Sequence, residues 1–170
     1  TDLEVLYILR TLGTRRNSEG NRLITQALDH PSGTVVAEVL RLIRELHIKE
    51  AEPLLSSIIE KHPLDNIRSE AIKVLSEIAF HDSIIVPLMK SEDKLIRNSS
   101  MVSILNHSQV AEHIQKAEKK IKGLLASENA VEKQEAADLL SETSHGNFDD
   151  ELIKLLNEKE VSLQLAGIRA

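Results

Sequence analysis

Between Asp65 and Ala79 the chain reads DNIRSEAIKVLSEIA, and Ile67, Ala71, Ile72, Val74, Leu75, Ile78 and Ala79 fall at steps of three and four. That spacing predicts a helix with one broad apolar side, and Arg68, Ser69, Lys73, Ser76 and Glu77 take the other. The pattern recurs. Glu38 to Leu46 matches Glu70 to Ile78 polar for polar and apolar for apolar, and Glu4 to Leu12 keeps the register except at Tyr7 and Thr11. Downstream, Arg97 to Ile104 and Lys133 to Leu140 follow, and a last copy starts near Leu163. The interval is roughly 30 residues, the length of one helical repeat.

A second helical pattern lies between these copies. Leu23, Ile24, Ala27 and Leu28 correspond to Leu54, Leu55, Ile58 and Ile59, and both runs end at a His-Pro pair, His30-Pro31 and His62-Pro63. Proline forces the residue before it out of the α region, so both helices are expected to stop there. Later counterparts are Ile84 to Met89, then Ile121, Leu124 and Leu125, then Leu152, Ile153, Leu155 and Leu156. Turn signals stand at 17–20, 32–33, 91–93, 127–129 and 144–147. Each unit is thus a helix, a short turn, a second helix and a tight return, with no alternating strand. The units run 1–31, 32–63, 64–92, 93–129, 130–160 and, in part, 161–170. The polar run His107 to Gln115 reads as an elongated turn, with a second helix delayed to Ala117–Ala126. An amphipathic helix cannot bury a wide apolar side alone, so copies at a steady interval imply neighbours stacked on one another in one domain.

Composition narrows the picture. The chain has 170 residues, 41% hydrophobic and only 2% aromatic, so the core is built from Leu, Ile, Val and Ala in many small contacts. The formal net charge of -6 repels phosphate backbones, which argues against nucleic acid as partner. Without cysteine there is no disulfide framework, thiolate metal site or cysteine nucleophile. Apolar runs are far shorter than the roughly 20 residues of a membrane span. No membrane insertion is expected, and a cytoplasmic location is the reading. The chain starts at Thr1 and both ends fall inside helical units, so it reads as a fragment of a longer protein.

Ile67-Arg68-Ser69-Glu70-Ala71-Ile72-Lys73-Val74-Leu75 follows apolar-Arg-x-x-Ala-x-x-x-Leu, and with the two-helix unit this resembles the HEAT repeat, including its short bacterial HEAT-like variety. The resemblance covers nearly the whole chain. It implies an all-α, right-handed α-α superhelix, a solenoid with first helices in an outer layer and second helices lining a concave face. The Asp and Arg that open the first helix of such repeats are matched by Asp65 with Arg68 and by Asp93 with Arg97, whereas Val36 and Lys133 occupy the other Arg positions. Ankyrin and tetratricopeptide signatures are absent.

Three chemistries are known in HEAT-like proteins, and each asks for residues that can be sought here. Deoxyhypusine hydroxylase binds metal through His-Glu pairs, and no His-Glu dipeptide occurs here. His47, His81, His107 and His145 follow first helices, and His30 and His62 end second ones, positions a helix dipole favours without any metal. A HEAT-like DNA glycosylase needs a basic concave surface and aromatic side chains. The one basic cluster, Lys116, Lys119, Lys120 and Lys122, lies on a single helix with Glu118 among it. A bilin lyase needs a pocket with aromatic lining, and Phe80 and Phe148 sit near turns, as plugs at the end of a layer. The acceptor patterns Asn98-Ser99-Ser100 and Asn106-His107-Ser108 read as chance.

The expectation is therefore a non-catalytic scaffold with no cofactor and no metal, binding a protein partner on the concave face. Its exposed second-helix positions are Ser56, Ser57, Glu60, Lys61, Lys90, Lys119, Lys122 and Lys154. The alternative is a regulatory or sensor module of a larger membrane protein or enzyme. End-to-end self-association through apolar end faces is a further expectation.

Overall fold

A computed structural model describes residues 1–144, 148–158 and 161–169, and every regular element among them is helical. In chain order these are α1 (Asp2–Arg15), α2 (Ser18–Gln26), α3 (Gly33–Leu46), α4 (Glu52–Lys61), α5 (Asp65–Ile78), α6 (Asp82–Leu88), α7 (Lys94–His107), α8 (Ala111–Leu125), α9 (Ala130–Ser141), α10 (Asp149–Leu156) and α11 (Val161–Arg169). Short 3₁₀ turns, Ala27–Asp29 and Lys49–Ala51, extend α2 and precede α4. The odd-numbered helices carry the first pattern and the even-numbered ones the second.

Local chemistry sets the helix ends. Asn17 Oδ1 accepts from Gly20 N–H at 2.7 Å, Asp93 Oδ1 from Ile96 N–H at 2.9 Å and Asn129 Oδ1 from Val131 N–H at 2.9 Å. Each satisfies a donor that the first turn leaves open. At the other end the His-Pro pairs act as their sequence requires: His30 and His62 are extended, with ψ of 138° and 136°. Both rings take the same bond, His30 Nδ1 from Ser32 N–H and His62 Nδ1 from Leu64 N–H, each at 3.1 Å. With Nδ1 accepting, the neutral ring carries its proton on Nε2, and each ring closes its own turn.

Contacts divide the chain into two units, Thr1–Ser100 and Met101–Ala170. In the first, α1 packs on α2 and α3, α3 on α5, and α4 on α5. The interface is apolar: Val36, Val39, Leu40 and Ile43 of α3 and Ala71, Ile72, Val74 and Leu75 of α5 are fully buried. Gly13 allows α1 close to α3, because a β-carbon there would come within 2.9 Å of Leu42 Cδ2. In the second unit α8 packs on α9, and α9 and α10 pack on α11, with Ala117, Ile121, Ala136, Ala137, Leu140 and Leu155 inside.

In both Asp-Arg matches the arginine reaches back to carbonyls before its own helix, but only Arg68 is shown paired with its aspartate, while Asp93 caps the first turn of α7. Arg68 pairs with Asp65 at 3.1 Å and donates from Nε to the Ile59 carbonyl at 2.8 Å, tying the start of α5 to the last turn of α4. Arg97 donates from Nη1 to the Ser91 carbonyl at 3.1 Å, just after α6. A cation at the carboxyl end of a helix also meets its negative pole.

Two local expectations are corrected. The run His107 to Gln115 is no elongated turn, because α8 begins at Ala111 and only residues 108–110 link it to α7. Ser108 Oγ accepts from Val110 N–H at 3.2 Å and tightens that link, while the polar residues Glu112, Gln115 and Lys116 sit on the wet side of a helix. Ser76, assigned to the polar side of α5, is buried and donates to the Ile72 carbonyl at 2.8 Å, so its hydroxyl is satisfied within the helix. Gly123 stands exposed within α8 with open space where a β-carbon would be. Gly123→Ala is expected to stabilise the protein by about 0.5–1 kcal/mol, read as a higher urea midpoint at unchanged slope.

Ion pairs cross between the first helices. Glu38 accepts from Arg10 Nε of α1 at 2.8 Å and from Arg41 Nε and Nη2 at 2.9 and 2.8 Å, and Arg41 also pairs with Glu45. Arg44 of α3 reaches Glu70 of α5 at 2.8 Å, and its Nε lies 3.1 Å from Glu77, out of hydrogen-bond alignment. Only 10% of the Glu38 side chain is exposed. The hydrogen bond from Arg41, opposed by burial and aided by Arg10, lowers its pKa from the ordinary 4.5 to about 2. A folded-state value below the unfolded one gives stability that is full above pH 4.5 and lost as pH falls through 4.5 toward 2. Discounted for the exposure of both arginines, the contribution is about 1–3 kcal/mol. Glu38→Gln should therefore flatten the fall in stability over that window, measured by urea unfolding at stepped pH.

Candidate functional site

The expected partner-binding residues fall in both units. In the first, Ser56, Ser57, Glu60 and Lys61 form one stripe of α4, since residues three and four apart share a face. Ser57, Glu60 and Lys61 are exposed, and Ser56 is half-buried with its hydroxyl donating to the Glu52 carbonyl at 3.1 Å. Lys90 is exposed but lies just beyond α6, in a turn where its N–H donates to the Pro87 carbonyl.

In the second unit Lys119 on α8 and Lys154 on α10 are exposed. Lys122 is not a free surface lysine. Its ammonium lies 3.4 Å from Glu151 Oε1 of α10 and 5.5 Å from the centre of the Phe148 ring, and Phe148 is buried. The side chain braces α8 against the start of α10 through charge and ring face together. Lys116 is likewise paired, with Glu112 at 2.6 Å, which holds the Glu112 carboxyl below its ordinary value.

His47 caps α3 in the left-handed region at φ 52°, and His81 Nε2 lies 2.8 Å from Glu52 Oε1, off hydrogen-bond alignment. His107 ends α7, and His145 lies outside the described residues. Among the described residues no group of three or more His, Asp or Glu side chains converges as a metal site would need. Of the two acceptor patterns, the hydroxyls of Ser100 and Ser108 are buried.

Two clefts open on the first unit. One, of about 310 Å3, runs between the ends of α1 and α3 beside Arg10, Arg16, Arg41, Leu42 and Glu45, and its charges are largely spent on one another. The other, of about 380 Å3, lies along α2 and faces the turn before α4. Ile48 and Thr25, both buried, form its floor, and Ser18, Asn21, Arg22, Gln26 and Glu50 its rim. Nothing in the sequence marks this cleft, although the helix itself is legible there, because it exists only when Ile48 is brought against α2.

No family model matches the chain, and no curated protein matches it. No described helix is long and apolar enough to cross a membrane.

Proposed function

We propose that the chain is a stretch of HEAT-like α-solenoid that acts as a non-catalytic scaffold and holds a protein partner against its second helices. One observation carries the reading: α1, α3 and α5 pack each on the next in order, and α9 packs on α11, while α2 and α4 lie on the first helices beside them. Packing of neighbour on neighbour is what repeats of one supersecondary unit produce, and it leaves a side of every second helix free for a ligand. On this reading the exposed stripe Ser57, Glu60 and Lys61 would meet the partner in the first unit, and Lys119 and Lys154 in the second, each taken by itself.

Two experiments test this. A chain ending at residue 92, a unit boundary, should keep its helical circular dichroism and a cooperative melt, because each stacked unit needs only its neighbours. Collapse of the helical signal would defeat the solenoid. For the scaffold, photo-crosslinkers placed at Ser57, Lys119 and Lys154 should label one partner that crosslinkers at Thr34 and Thr11, on first helices, do not. Labelling from the first helices alone would place the binding face elsewhere.

A further inference from the structure

The cleft along α2 combines an apolar floor with a polar rim. Its floor is apolar, and Thr25 asks nothing of a ligand because its hydroxyl already donates to the Asn21 carbonyl at 2.9 Å. Its rim is polar and uncommitted: among the described residues the side chains of Ser18, Asn21, Arg22, Gln26 and Glu50 have no hydrogen-bond or ion-pair partner. Arg10, Arg41, Arg44, Arg68 and Arg97 are all engaged by carboxylates or carbonyls. Unspent donors and acceptors around an apolar floor are what a recognition site keeps for its ligand.

We infer that this cleft docks an extended peptide segment of the partner, one that seats an aliphatic side chain on Ile48 between an acidic residue facing Arg22 and a basic residue facing Glu50. The ligand class rests on the scaffold reading, and three observations specify it. Ser18, Arg22 and Gln26 stand at i, i+4 and i+8, rising about 6 Å per step. An extended chain returns the same face every about 6.7 Å, so successive rungs meet successive like-facing residues. Opposite charges on one rim select a segment carrying both signs and disfavour a polyanion. Finally, a volume of about 380 Å3 takes one aliphatic side chain with its flanking backbone and no folded domain.

The test is fluorescence anisotropy of the full chain with short, dye-labelled, end-capped peptides: a central leucine with Asp and Lys each two residues away, so that all three share one face of the extended chain, supplied in both orders. Two controls replace the Asp by Lys or the leucine by Gly. Saturable binding of one charge order is expected, weakened by the Gly control. Arg22→Glu should weaken that peptide about tenfold or more, the worth of one charged hydrogen bond, and should improve the Lys control over wild type. Glu50→Lys should weaken it too. Both residues are exposed, so neither change threatens folding. If wild type binds no peptide, or if Arg22→Glu leaves affinity unchanged, the assignment is overturned. Loss with Lys119→Glu instead of Arg22→Glu would keep the scaffold and remove the cleft. Binding only of an uncapped tripeptide would replace the segment by a small zwitterion and overturn it as well.

Discussion

Phe148→Ala is expected to lower stability by about 3–5 kcal/mol, the largest effect of any single change considered. The ring is buried at the entry to α10, where its backbone carbonyl also accepts from Leu152 N–H at 2.9 Å. Its removal costs the transfer energy of the ring and leaves a cavity in its place. It also takes away the ring face beneath Lys122, worth about 0.5–1 kcal/mol at a half-exposed site. Urea unfolding followed by far-ultraviolet circular dichroism measures it: the midpoint falls and the slope holds. Phe148→Leu should recover most of the loss. An alanine variant as stable as wild type would show that the ring is not packed as described.

Leu75→Ala is expected to cost about 2–5 kcal/mol. Leu75 is fully buried on α5, a helix that packs on both α3 and α4, so its truncation leaves a void in that core. Glu77, two residues along, is exposed, and Glu77→Ala gives up only its contact with Arg44, about 0–1 kcal/mol. The pair of variants separates burial from charge on one helix. Equal losses would mean that the stated core face is wrong.

The apolar register of α5 was legible because burial there is periodic: Ile67, Ala71, Ile72, Val74, Leu75 and Ile78 are buried, and only Ala79 leaves the helix, at φ -162°. Helix stops at His30 and His62 were legible because proline acts on the residue beside it. What escaped depends on partners distant in the chain. Lys122 looked like a solvated lysine until Phe148, just before α10, and Glu151, on it, were brought against it. Glu38 shows its neighbour Arg41 in the sequence, but the bond from Arg10 needs α1 and α3 side by side. Ser76 was misassigned because a hydroxyl bonded to its own helix is, for packing, a small residue. The start of α8 was lost for the opposite reason: its first turns are polar, and a helix lying mostly in water has a weak hydrophobic signature.

On α1, Leu3, Tyr7 and Ile8 are 78%, 74% and 55% exposed. Tyr7 is the sole tyrosine, and there is no tryptophan. Excited near 280 nm, the protein therefore glows from one phenol standing in water. That light is nearly blind to melting of the interior, yet a second molecule settling over α1 would change its brightness and slow its tumbling, so an unlabelled sample carries its own optical probe for that end of the chain.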